Sequence, residues 1–99
     1  MIRPDGSTKS TGFLGVHKGA DGKDMTEYSV GLTIGGQEMD VPSMVPTLTE
    51  GELNHILSGK GVNEAIKQKA ADHAKKRIKQ GKSVFWGEGE EVFTIRGKV

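Results

Sequence analysis

Met25-Thr26-Glu27-Tyr28-Ser29-Val30-Gly31-Leu32-Thr33-Ile34-Gly35-Gly36-Gln37-Glu38-Met39-Asp40-Val41 is the stretch that decides the fold class. Tyr28, Val30, Leu32 and Ile34 alternate with Glu27, Ser29, Gly31 and Thr33. That period of two gives a strand one buried face and one wet face. Gly35-Gly36 supplies the positive φ angles that a two-residue hairpin loop needs. On the return strand Met39 and Val41 share one face, and Glu38 and Asp40 share the other. Pro42 has no N–H to give to a ladder and closes the strand.

An amphipathic hairpin needs a facing layer. The sequence offers one downstream, where Val62, Ile66, Ala70, Ala74 and Ile78 recur every four residues and predict a helix over about 62–80. Its small alanines allow close approach to the sheet, and Gly81 is its C-cap. Between hairpin and helix, Pro42-Ser43-Met44-Val45-Pro46 reads as an extended apolar linker. A short helix over about 50–57 follows, with Leu53, Ile56 and Leu57 inward. Thr49 with Glu52 fits a capping box, and Thr47 with Glu50 is a competing frame. Ser58-Gly59-Lys60-Gly61 breaks this helix. Short strands are expected near 13–16 and 91–96. Val84-Phe85-Trp86 is an apolar anchor after the long helix. The expected fold is therefore α+β: a small antiparallel sheet, made of the hairpin 25–41 and the two short strands, packed against both helices. Residues 1–11, rich in Gly, Ser, Thr and Lys, are expected to form a flexible arm, and residues 12–99 a single domain.

Ninety-nine residues suit one domain with a modest core. Apolar residues make up only 33% of the chain, so that core must rest on a few large side chains. There is no cysteine, which excludes disulfides, thiol catalysis and cysteine metal sites. No apolar run approaches the ~18 residues of a membrane span, so no membrane association is expected. Met1–Gly6 shows no apolar region of a secretory signal.

The net charge of +1 hides an asymmetry. From Lys60 to Lys82 eight basic residues face only Glu64 and Asp72, so this segment carries +6 and the remainder −5. Lys67, Lys75 and Lys79 lie close together at helical spacing, with Lys76 and Lys82 alongside. Such a stripe can neutralise phosphates through counterion release. No aromatic residue between Lys60 and Lys82 is available for base stacking, so nucleic-acid binding is expected to be weak and without sequence preference. A solvated outer helix face, stabilised by the helix dipole, accounts for the same lysines.

The other constellations support no chemistry. His17, His55 and His73 have no second histidine at i+3 or i+4, so no metal site is expected. Asp72-His73 has no nucleophile elbow to serve. Glu88, Glu90 and Glu91 read as an acidic loop. Gly59-Lys60-Gly61 precedes a helix but lacks the spacing of a phosphate-binding loop. The expectation is a protein without catalytic residues or cofactor. Lys67, Lys75, Lys76, Lys79, Lys82, Phe85 and Trp86 are its candidate partner-binding residues.

Three blocks occur together in order. The first is Gly12-Phe13-Leu14-Gly15, Asp21-Gly22 and Thr26-Glu27-Tyr28-Ser29-Val30-Gly31. The second is Val41-Pro42-Ser43-Met44-Val45-Pro46-Thr47-Leu48-Thr49. The third is Ala70, His73-Ala74, Arg77-Ile78, Gly81-Lys82-Ser83 and Phe85. This order, over about residues 12–86, resembles a small module encoded by tailed bacteriophages, alone or within longer phage proteins. The resemblance brings no catalytic residues with it. It implies a phage setting, in the host cytoplasm or the assembled virion. The leading expectation is a virion-associated or assembly component acting through protein–protein interaction, with other virion proteins, a host protein or further copies of itself as partners. The surfaces available are the N-terminal arm, the VPSMVP linker and the basic helix. A small inhibitor of a host defence system and a weak nucleic-acid-binding protein are the alternatives.

Overall fold

A computed structural model describes residues 12–87 and 89–93. The arm expected over residues 1–11 and the last residues of the strand expected near 91–96 lie outside them. The fold is α+β, with two small antiparallel sheets of two strands each, a short helix and a longer one.

The hairpin forms as its alternation requires. β3 (Ser29–Ile34) pairs with β4 (Gln37–Pro42), from Ser29 opposite Pro42 to Ile34 opposite Gln37. Gly35 and Gly36 both take positive φ at the turn. The first two strands, β1 (His17–Lys18) and β2 (Asp24–Met25), make a separate small sheet. The strand expected near 13–16 is absent: Phe13 and Leu14 sit in a turn as buried core residues. At the other end residues 91–93 are irregular, and Phe93 N–H donates to the Phe13 carbonyl at 2.7 Å.

The hairpin begins at Ser29, four residues later than its alternation suggests. Tyr28 adopts φ 44°, in the left-handed region, and this breaks the extended chain. The break turns Glu27, expected on the wet face, into the interior at 1% exposure. Its carbonyl accepts from Ser43 N–H at 3.0 Å and Met44 N–H at 3.2 Å. Ser43 Oγ donates to the Tyr28 carbonyl at 2.6 Å. Residues 41–45 are all buried, so the segment expected to be an extended apolar linker and an available interaction surface is a central strut of the core.

The helices follow their caps. α1 (Glu50–His55) starts at Thr49, which settles the frame of the capping box. Glu52 N–H donates to Thr49 Oγ1 at 3.1 Å, and Thr49 N–H donates to Glu52 Oε1 at 2.8 Å. A π-helical turn, Ile56–Lys60, follows. α2 (Glu64–Lys79) starts at Asn63, whose Oδ1 accepts from Ile66 N–H at 2.9 Å. It ends in a Schellman motif: Gly81 N–H donates to the Ile78 carbonyl and Lys82 N–H to the Arg77 carbonyl, both at 2.9 Å.

The core has two parts. Ile34 and Val41 of the hairpin pack on Ala70 and Ala74 of α2, where the alanines let the layers close. Leu14, Met44, Val45, Leu48, Leu53, Ile56 and Ile66 form the second cluster beside α1. Ile78 is not in either. It is 45% exposed, and Arg77, at 7%, takes its place in the buried stripe.

Candidate functional site

α2 presents three surfaces, and the sequence-predicted residues divide among them. The inner surface is the core stripe. A second surface flanks it, where His73 and Arg77 meet Phe13. The third is the outer face, carrying Lys75, Ile78 and Lys79.

On the flank, Arg77 organises the chain that returns after the helix. Its Nη2 donates to the Phe85 carbonyl at 3.1 Å and to Glu90 Oε2 at 3.1 Å, and its Nε donates to the Ser83 carbonyl. The guanidinium carbon lies 4.8 Å from the centre of the Phe13 ring, a cation–π contact. The same ring meets His73 edge-on, with centroids 4.5 Å apart and planes at 77°. Glu90 closes the loop by accepting Gly87 N–H on Oε1 at 3.2 Å. Hydrogen bonding to Arg77 holds the Glu90 carboxyl below its usual range. Burial, helped by the charges of Arg77 and Lys76, pushes His73 down to about 4. Among the described residues His73 Nδ1 is buried without a hydrogen-bond partner.

These groups border a cleft of about 460 Å³, with Phe13, His73 and Phe93 among its walls and Lys76, Lys82 and Glu91 also lining it. His73 and Arg77 both line this cleft, and Arg77 is turned toward the returning tail through its Nε and Nη2 groups. Among the described residues no group of three or more histidine or acidic side chains could hold a metal ion.

The lysines also separate. Lys67 Nζ lies 3.6 Å from Glu64, and Lys69, which the sequence reading did not single out, pairs with Glu52 at 2.7 Å. Lys75, Lys76, Lys79 and Lys82 are exposed and have no ion pair among the described residues. Lys75 and Lys79 are one turn apart on the outer face, with Ile78 beside them. Lys76 and Lys82 belong to the cleft. Phe85 is half-buried, and its carbonyl is held by Arg77. Trp86 is 8% exposed and donates its indole N–H to the Glu91 carbonyl at 3.0 Å, so its ring packs inside this domain.

Sequence reasoning missed Arg77, because an arginine among lysines reads as one more solvated charge. The signal was available at the helix–tail junction: an arginine three residues after Ala74 falls on the same helical face as the core alanine. Comparison with known proteins finds no match among family models, curated proteins or solved structures.

Proposed function

We propose that this chain is a non-enzymatic interaction domain of a bacteriophage, a small virion-associated or assembly component that docks an acidic partner surface on the outer face of α2. One observation carries the reading. Lys75 and Lys79, exposed and without an ion pair among the described residues, stand beside the exposed Ile78, giving a basic surface flanked by an apolar side chain. Lysines already satisfied within the domain have little to offer a partner, whereas unpaired ones steer association and gain pairs on contact. The order of the three sequence blocks supports the phage setting, and the proposal locates the protein accordingly in the host cytoplasm or the virion.

The test uses particles of the encoding phage, purified and quantified by mass spectrometry. The chain should be present in stoichiometric copy number, and a Lys75→Glu, Lys79→Glu variant should fold normally but drop out. Absence from particles together with early expression would favour the host-directed inhibitor. Tight, sequence-selective binding of nucleic acid that survives high salt would favour a nucleic-acid-binding protein.

A further inference from the structure

We infer that the partner of the α2 outer face is the hairpin of a second copy of this chain, so that copies stack head to tail. The inference rests on the docking reading above and names its occupant.

The hairpin is covered on one face only. Val30, Leu32, Ile34, Met39 and Val41 turn toward α2 and its flank, which sends Gly31, Thr33, Glu38 and Asp40 to the opposite face, where all four are exposed. Glu38 and Asp40 have no ion pair among the described residues. The domain thus carries an unpaired acidic surface on the sheet layer and an unpaired basic surface on the helix layer. Because α2 packs on the inner side of the hairpin, these surfaces point in opposite directions.

Spacing and shape match as well as charge. Residues two apart on a strand are about 7 Å apart, so Glu38 and Asp40 are separated by that distance along β4. Residues one turn apart on a helix are about 6 Å apart along its axis, which is the spacing of Lys75 and Lys79. Gly31 lies directly opposite Asp40 in the ladder and contributes no side chain. A shallow hollow of about 340 Å³ lies at this position, bordered by Gly31, Thr33, Glu38 and Asp40 together with Leu32 and Met39 of the same two strands. Ile78, exposed beside the two lysines, is an apolar projection on the other surface that the hollow has room to admit. Asp72, also toward the outer side of α2, is engaged by Gln68 Nε2 at 2.9 Å.

A contact between two different patches on opposite sides of the molecule is heterologous. It propagates into a stack or a ring and does not close a two-fold dimer. Exposed ion pairs are individually weak and screened by salt, so the stack should be concentration-dependent and favoured at low ionic strength.

The test is light scattering coupled to gel filtration on the full chain, across concentration and salt. The wild type should gain mass with concentration in low salt and lose it in high salt. Glu38→Lys with Asp40→Lys, and separately Lys75→Glu with Lys79→Glu, should each be monomeric, and mixing the two variants should restore association. Gly31→Leu should also be monomeric with an undiminished melt. Gly31 has no positive φ, and an added Cβ would meet only Asp40 Oδ1 at 3.5 Å. A wild type that stays monomeric in low salt, variants that fail to associate on mixing, or a Gly31→Leu protein that still associates overturns the inference. A monomeric wild type whose entry into particles still depends on Lys75 and Lys79 would overturn the self-stacking while leaving the docking face in place. Normal particle entry by the Lys75→Glu, Lys79→Glu variant would remove the docking face itself.

Discussion

Arg77 Nη2 lies 3.1 Å from Glu90 Oε2, and this ion pair fastens the last turns of α2 to the chain that returns across Phe13. The two partners are unequally placed: the Arg77 side chain is nearly buried, while about a third of the Glu90 side chain meets solvent. Removing Arg77 strands two carbonyls and a carboxylate together. Arg77→Ala should therefore cost about 2–4 kcal/mol. Glu90→Gln leaves an acceptor in place and a partly solvated guanidinium contact, and should cost under about 1 kcal/mol. Urea midpoints of the two variants check this, and equal losses would mean that Arg77 holds the tail through Glu90 alone.

The register of α2 makes a second pair of variants informative. Ile66 is fully buried in the core cluster beside α1. Ile66→Asp should unfold the domain, because an unpaired carboxylate would enter the core, and Ile66→Ala should cost about 2–5 kcal/mol. Ile78→Asp should melt within about 0.5 kcal/mol of the wild type, since the residue lies on the outer face. A large loss at Ile78 measured by thermal unfolding would put the opposite face of α2 in the core.

The same helix shows where pattern reading succeeds and where it drifts. Four helical residues turn through 400°, so each step of four advances the face by 40°. Ile66, Ala70 and Ala74 stay within the buried arc, but by Ile78 the drift from Ile66 reaches about 120°, and the three-residue step to Arg77 restores the stripe. Features governed by neighbouring residues were legible: the Gly35-Gly36 turn, the Thr49 capping box, the Gly81 C-cap and the inward face of β3. Those set by distant partners were not. Ser43 bonding to the Tyr28 carbonyl, fifteen residues away, decides where the hairpin begins and buries the segment expected to be a linker. Arg77 and Trp86 are buried by carbonyls of the returning tail, which no local pattern encodes. Of the candidate partner-binding residues, the structure leaves Lys75 and Lys79 on an open face and takes Trp86 into the core.

His73 makes stability depend on pH in a defined window. Its folded value is pushed down to about 4 from an ordinary 6.5, so between those values the unfolded chain binds the extra proton. Stability is then complete above pH 6.5 and falls as pH drops toward 4, by up to roughly 3 kcal/mol. Below pH 4.5 the depressed Glu90 carboxyl adds a separate loss as it is protonated out of its bond with Arg77. His73→Leu keeps an apolar contact with Phe13 and removes the proton site. It also removes a buried nitrogen that has no partner among the described residues, so stability at pH 7 should be unchanged or higher. Denaturation midpoints from pH 7 to 4.5 should slope for the wild type and flatten for the variant, and identical slopes would assign the window to other groups.

Gly12 sets the closest approach between the turn at Phe13 and the chain entering the hairpin. It has φ +85°, and a Cβ built there would stand 2.2 Å from the Thr26 carbonyl oxygen. Two costs follow for Gly12→Ala. The left-handed backbone costs about 1 kcal/mol for any residue with a Cβ. The contact costs more, because the obstacle is main chain that cannot rotate aside, and relieving it must shift Phe13 or Thr26, which both pack in the interior. Overpacking of this kind adds about 1–3 kcal/mol. Gly22→Ala separates the two effects: its φ is +82°, but nothing lies within 4 Å of the added Cβ. Gly22→Ala should lose about 1 kcal/mol and Gly12→Ala about 2–4 kcal/mol. Fluorescence of the single buried Trp86, which packs in the same returning tail, reports both unfolding transitions. If the two alanine variants melt together, the main chain at Gly12 and Thr26 is not in close contact, and the turn at Phe13 must sit farther from the hairpin entry.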